Sequence, residues 1–124
     1  SIHAQDKEIH VELNTTDVIT YKTNALETSY INTVQVHFYE DELIISGASY
    51  SLKDIVLRKT NDGECICFEA LGGSYYFIFY DSNKNVTSIR IVSKKQNLII
   101  LYYSPSNSIK VPQYFLDLPS YLED

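Results

Sequence analysis

Residues 61–103 read NDGECICFEALGGSYYFIFYDSNKNVTSIRIVSKKQNLIILYY. Four turn signals cut this stretch: Asn61-Asp62-Gly63, Gly72-Gly73, Asp81-Ser82-Asn83-Lys84-Asn85 and Lys94-Lys95-Gln96-Asn97. They return every ~10–12 residues, the rhythm of an antiparallel meander closing as a barrel or sandwich. Between them lie strand-like runs at Glu64 to Ala70, Tyr75 to Tyr80, Val86 to Val92 and Leu98 to Tyr103. In the second run Tyr75, Phe77 and Phe79 alternate with Tyr76, Ile78 and Tyr80, so both faces are aromatic or apolar. Such a strand is covered on both sides or lines a pocket.

Upstream, residues 33–46 read as a hairpin. Val34, Val36 and Phe38 share one face, Glu40-Asp41-Glu42 makes the turn, and Leu43-Ile44-Ile45 returns. Gly47 then breaks the run as a bulge or a turn with positive φ. Residues 6–13 alternate as a half-buried strand, and Asn14-Thr15-Thr16-Asp17 carries turn chemistry. A short strand near Val18 to Lys22 follows, and the polar residues 23–31 read as a connecting loop. Residues 49–59 admit two readings. Ser51-Leu52-Lys53-Asp54 resembles a helix-capping pattern, while Tyr50, Leu52, Ile55 and Leu57 read as strand with a slip at Lys53-Asp54. The β-branched residues favour strand.

Downstream of Ser104 the alternation stops. Pro105, Pro112 and Pro119 punctuate a tail whose apolar residues, Phe115, Leu116, Leu118, Tyr121 and Leu122, need burial. The tail is expected to pack across an open end or an edge strand, with a helical turn after Pro119 as an option. The fold expected is all-β: an antiparallel meander of about eight strands closing as a small barrel or sandwich, with a non-strand C-terminal tail across it.

Composition agrees. The chain has 124 residues, eleven Tyr and five Phe but no Trp and no Met, and only four Ala. Aromatic and β-branched residues suit a pleated, half-buried surface, whereas helical proteins use much more Ala. The net charge of −6 argues against nucleic acid as a partner, because displacing counterions from phosphates needs Lys and Arg. The excess is uneven: residues 1–62 hold ten acids against five Lys and Arg, residues 63–124 six against five. No apolar run is long enough for a membrane-spanning helix.

The chain begins Ser1-Ile2-His3-Ala4-Gln5. Ile2 and Ala4 fit the −3 and −1 positions of signal peptidase cleavage before Gln5, so the segment resembles the end of a bacterial secretory signal peptide. On that reading residues 1–4 are a signal remnant, residues 5–124 one β domain including the 105–124 tail, and the destination is periplasmic or extracellular. Cys65 and Cys67 form a C-x-C that puts both thiols on one strand face with parallel Cβ vectors, a poor geometry for bridging, and they read as small hydrophobes on a core-facing stripe.

Catalytic patterns are missing. There is no G-x-S-x-G, no S-x-x-K and no H-E-x-x-H. His10 and His37 lie on strands opposite apolar stripes, the solvent side. Asp81, Asn83 and Asn85 open like a calcium loop, but Val86 and Val92 stand where that loop needs Gly and Glu. The chain therefore reads as non-enzymatic, with no cofactor and no metal.

Two binding surfaces are candidates. Aromatic walls suit apolar ligands, and Tyr50, Tyr75, Phe77, Phe79 and Tyr102 are the residues expected to line a pocket. The three acids Glu40, Asp41 and Glu42 form a contact point for a basic partner. The meander, aromatic interior, secretory start and C-terminal flap together resemble the small exported lipocalin-like (calycin) barrels of bacteria. The resemblance covers residues 6–104 as architecture and carries no family motif; the G-x-W of true lipocalins is absent. The functional expectation is an exported, non-catalytic β domain binding a small apolar molecule or a cell-envelope component. The alternative is an inhibitor or immunity-type interaction module presenting its acidic face to an envelope protein.

Overall fold

A computed structural model describes residues 9–104 and 110–122. The elements run β1 (Ile9–Thr20), β2 (Leu26–Phe38), β3 (Glu42–Ile45), β4 (Ala48–Ser51), a 3-10 turn (Leu52–Asp54), β5 (Val56–Thr60), β6 (Gly63–Glu69), β7 (Tyr75–Tyr80), β8 (Val86–Ser93), β9 (Leu98–Tyr103), α1 (Gln113–Leu116) and β10 (Ser120–Leu122). All ten strands belong to one sheet, curled into a half-barrel, in the order β10-β5-β6-β7-β8-β9-β1-β2-β3-β4. The fold is all-β.

The meander over residues 61–103 forms as its turns dictate: β5 to β9 pair in succession, each antiparallel to the next. A second run, β1 to β4, does the same. The two are joined by β1 against β9, from Thr15↔Tyr103 to Thr20↔Leu98. The result is an up-and-down half-barrel in which β4 and β5, consecutive in the chain, are not paired. There the 3-10 turn intervenes: the Ser51 side chain accepts from the Lys53 amide (3.3 Å), so the capping pattern and the strand runs coexist. The free edge of β5 takes up β10 instead, in parallel. Parallel pairing needs a long connection, and β6 to β9 with the segment after them lie between β5 and β10.

Three expectations are corrected. Asn14-Thr15-Thr16-Asp17 is not a turn; β1 runs straight through it, with a register shift between Leu13 and Thr15. The loop expected over 23–31 is confined to the residues before Leu26, where β2 begins. The tail is not strand-free: α1 starts after Pro112 rather than Pro119, and Ser120–Leu122 forms β10. The expected signal remnant at 1–4 and residues 105–109 of the tail lie outside the described residues.

Ladder partners share a sheet face, which sorts the side chains into two sets. The inner set includes Ile66, Phe68, Tyr76, Ile78, Ile89 and Tyr102. It joins Leu13, Val34, Val36, Phe38 and Leu43 in the main core. The tail seals one side of this core. Phe115 of α1 is fully buried, its ring edge-on to Phe38 at 5.0 Å, and the Tyr114 hydroxyl donates to the Phe38 carbonyl at 3.1 Å. Burying one such ring contributes about 1.5–3 kcal/mol.

The outer set forms a smaller cluster of Cys65, Cys67 and Phe79, with Val56 and Phe77 beside it. Both thiols are buried and form no disulfide, on the face opposite the main core rather than facing it. Arg90 covers this cluster: its guanidinium sits 4.8 Å from the Phe79 ring centroid and donates to Asp62 at 3.1 Å.

Candidate functional site

The seam between β4 and β5 has no backbone ladder, so side chains bridge the curl. The β3–β4 hairpin reverses through Ser46 (φ 49°) and Gly47 (φ 86°), both positive as a tight hairpin turn of this hand requires. This carries Tyr50 back toward the opposite strands. Phe68 on β6 and Tyr76 on β7 are direct ladder partners, and their rings stack at 5.0 Å and 17°. Tyr50 meets both, at 4.5 Å from Phe68 and 5.5 Å from Tyr76. Each such ring pair contributes about 0.5–1.5 kcal/mol beyond its buried area.

The three rings form the floor of an open hollow of about 900 Å³ between β4 and the β6–β7 turn. Ser49, Ser51, Asp54, Glu69 and Ser74 supply polar groups around its rim. Leu71, fully exposed, stands among its lining residues. Burial raises the Tyr76 phenol well above its usual value, helped by its hydrogen bond with Tyr50 and by Tyr102. Tyr102 is raised by burial and by Tyr30. At neutral pH these hydroxyls are protonated donors, and a flat apolar face beside them can be stacked and hydrogen-bonded at once.

On the inner face Tyr102 lies in a ladder row with Thr16 and Tyr30. Thr16 is fully buried and its hydroxyl has no partner among the described residues. An unpaired buried hydroxyl costs on the order of 1 kcal/mol.

The structure divides the five expected pocket residues between two faces. Tyr50 and Tyr102 are on the inner side. Tyr75, Phe77 and Phe79 project from the outer side, so the five do not line one cavity. Phe79 is buried against the cysteines. Tyr75 and Phe77 border a separate outer hollow of about 630 Å³ with Tyr21, Val92, Lys94 and Lys95. Phe68 and Tyr76 are the site residues that sequence reasoning passed over. The signal was present: a hairpin turning at Gly72-Gly73 places Phe68 opposite Tyr76.

The acidic turn is a braced junction. Glu40 and Asp41 are exposed, and Glu42 is half-buried and accepts from the Ser49 hydroxyl. The Asp41 carbonyl accepts from the Leu52 amide at 3.4 Å. Burial, and then the charges of Glu40 and Asp41, raise the Tyr114 phenol on α1. The Asp81 carboxylate is engaged by its own turn, accepting from the amides of Asn83 and Asn85 at 2.9 Å each. Among the described residues no cluster of three His, Cys, Asp or Glu side chains could hold a metal ion, and no helix is long and apolar enough to cross a membrane. No family model, curated protein or solved structure matches the chain.

Proposed function

We propose that this chain is an exported, non-catalytic binding domain that takes a small, largely apolar ligand into the hollow between β4 and the β6–β7 turn. The supporting observation is the cluster of Tyr50, Phe68 and Tyr76, three contacting rings at the floor of a hollow of about 900 Å³. Ligand sites combine apolar walls with a few placed polar groups, and the serines, Asp54 and Glu69 at the rim meet the second requirement. The ligand that fits has an apolar body with hydroxyl or amide groups at its edge.

A second reading, an interaction module meeting a basic protein through Glu40, Asp41 and Glu42, rests on the exposure of the first two carboxylates. It ranks lower because Glu42 is already held by Ser49.

Titration of ¹⁵N-labelled protein with laurate and, separately, an octyl glycoside tests the first reading. The expected result is amide shifts confined to residues 48–54 and 68–76, lost in Tyr76→Ala. Shifts confined to Tyr21, Val92 and Lys94 would move the site to the outer hollow, and an unperturbed spectrum with both probes would overturn an apolar ligand.

A further inference from the structure

The first part of β2, residues 26–33, is exposed on every side chain. It pairs with β1 along one edge, but the ladder to β3 begins only at Val36, so the other edge has no neighbour among the described residues. The remaining edges of the sheet are short, four residues in β4 and three in β10. Open edges in folded proteins are usually guarded by Lys, Pro or charges directed inward. Here the only charged residue is Glu27, and its carboxylate is held by the Thr20 hydroxyl at 3.0 Å. Ile31 and Leu26 remain 87% and 61% exposed.

A row of alternating outward amides and carbonyls is complemented only by another extended backbone. We infer that the β2 edge is a self-association surface, where a second copy of this chain adds its own β2 antiparallel across a two-fold axis. The segment's regularity and charge select the second copy. Register shifts against β1 fall at both ends, between Val18 and Ile19 and between Leu13 and Thr15, leaving Thr28 to Ile31 regular between them. A two-fold perpendicular to the sheet keeps inner faces together, which requires residues of like parity to meet. Centred on Tyr30, it sets Tyr30 against its own copy, Ser29 against Ile31, Thr28 against Asn32 and Glu27 against Thr33. No carboxylate meets a carboxylate. The two Glu27 side chains stand roughly 20 Å apart at a strand's rise per residue, beyond the reach of screened repulsion. A copy centred on Ser29 would instead press Ile31 against Glu27.

A strand pair of this length buries less than a standard interface, so the dimer is reversible and concentration-dependent. Sedimentation velocity over a concentration series is the test, with oxidative cross-linking of Tyr30→Cys as the second readout. The expected result is a shift from the 14.2 kDa chain mass to twice that value as concentration rises. Ile31→Lys abolishes the shift without altering the circular dichroism spectrum, and Tyr30→Cys yields a disulfide-linked dimer that the parent, with its buried thiols, does not. A monomer at every concentration, or a dimer that survives Ile31→Lys while Tyr30→Cys fails to cross-link, would overturn the inference.

Discussion

The two sides of the half-barrel solve the same problem differently. On the α1 side the core is sealed by the chain itself: Phe115 is inserted fully and Tyr114 anchors it to the Phe38 carbonyl. On the β4 side the half-barrel stays open, and the Tyr50, Phe68 and Tyr76 rings bridge the gap, each touching the other two. A plug driven by burial leaves no room for a guest. A bridge of aromatic rings at a sheet opening leaves a hollow with stacking faces. The contrast teaches that stability and binding are divided between the two sides, and substitutions can separate them.

The largest effect is expected from Phe115→Ala. Removing a fully buried ring costs about 3–5 kcal/mol, read as a lower urea midpoint, and the Tyr50 cluster plays no part in it. Next comes the alkaline limb of stability. Tyr76 and Tyr114 hold their protons more tightly in the fold than in the unfolded chain. Their contribution is therefore complete below the ordinary tyrosine pKa of about 10 and is lost as pH rises above it. Stability should be flat in these groups through neutral pH and decline in strong alkali, and Tyr76→Phe should make the decline shallower. No change in that slope would remove Tyr76 from the account.

Tyr114→Phe deletes the hydroxyl that anchors α1 and should cost about 0.5–1.5 kcal/mol by urea unfolding, with ligand shifts at residues 48–54 unchanged. The smallest effect is expected at Thr16→Val. Replacing a buried, unpartnered hydroxyl by a methyl should leave stability unchanged or raise it by about 1 kcal/mol, measured the same way. A loss of several kcal/mol would mean that the hydroxyl has a partner.

The strands from Gly63 to Tyr103 were legible because each is bounded by turn residues whose backbone demands nothing else satisfies. The β1–β2 ribbon was not. Asn14-Thr15-Thr16-Asp17 has the chemistry of a turn but is absorbed by a bulge, since β1 has ladder partners around it. Residues 26–33 show no alternation because neither of their faces is buried, and period-two patterning exists only where one face is. The site was half legible for a related reason. Tyr75-Tyr76-Phe77-Ile78-Phe79-Tyr80 is apolar in both parities, so nothing in the string says which set turns inward. Tyr76 does so because Ile78 and Phe68 already commit to the main core, while Phe79 finds Cys65 and Cys67 on the other side.

A crystal structure of the protein soaked with the octyl glycoside puts the central claim to the most direct test. The account requires ligand density on the Tyr50, Phe68 and Tyr76 rings, with its polar end near Glu69 or Ser74. Density lodged only beside Tyr75 and Phe77, or a β4 strand paired to β5 so that no hollow exists, would contradict it.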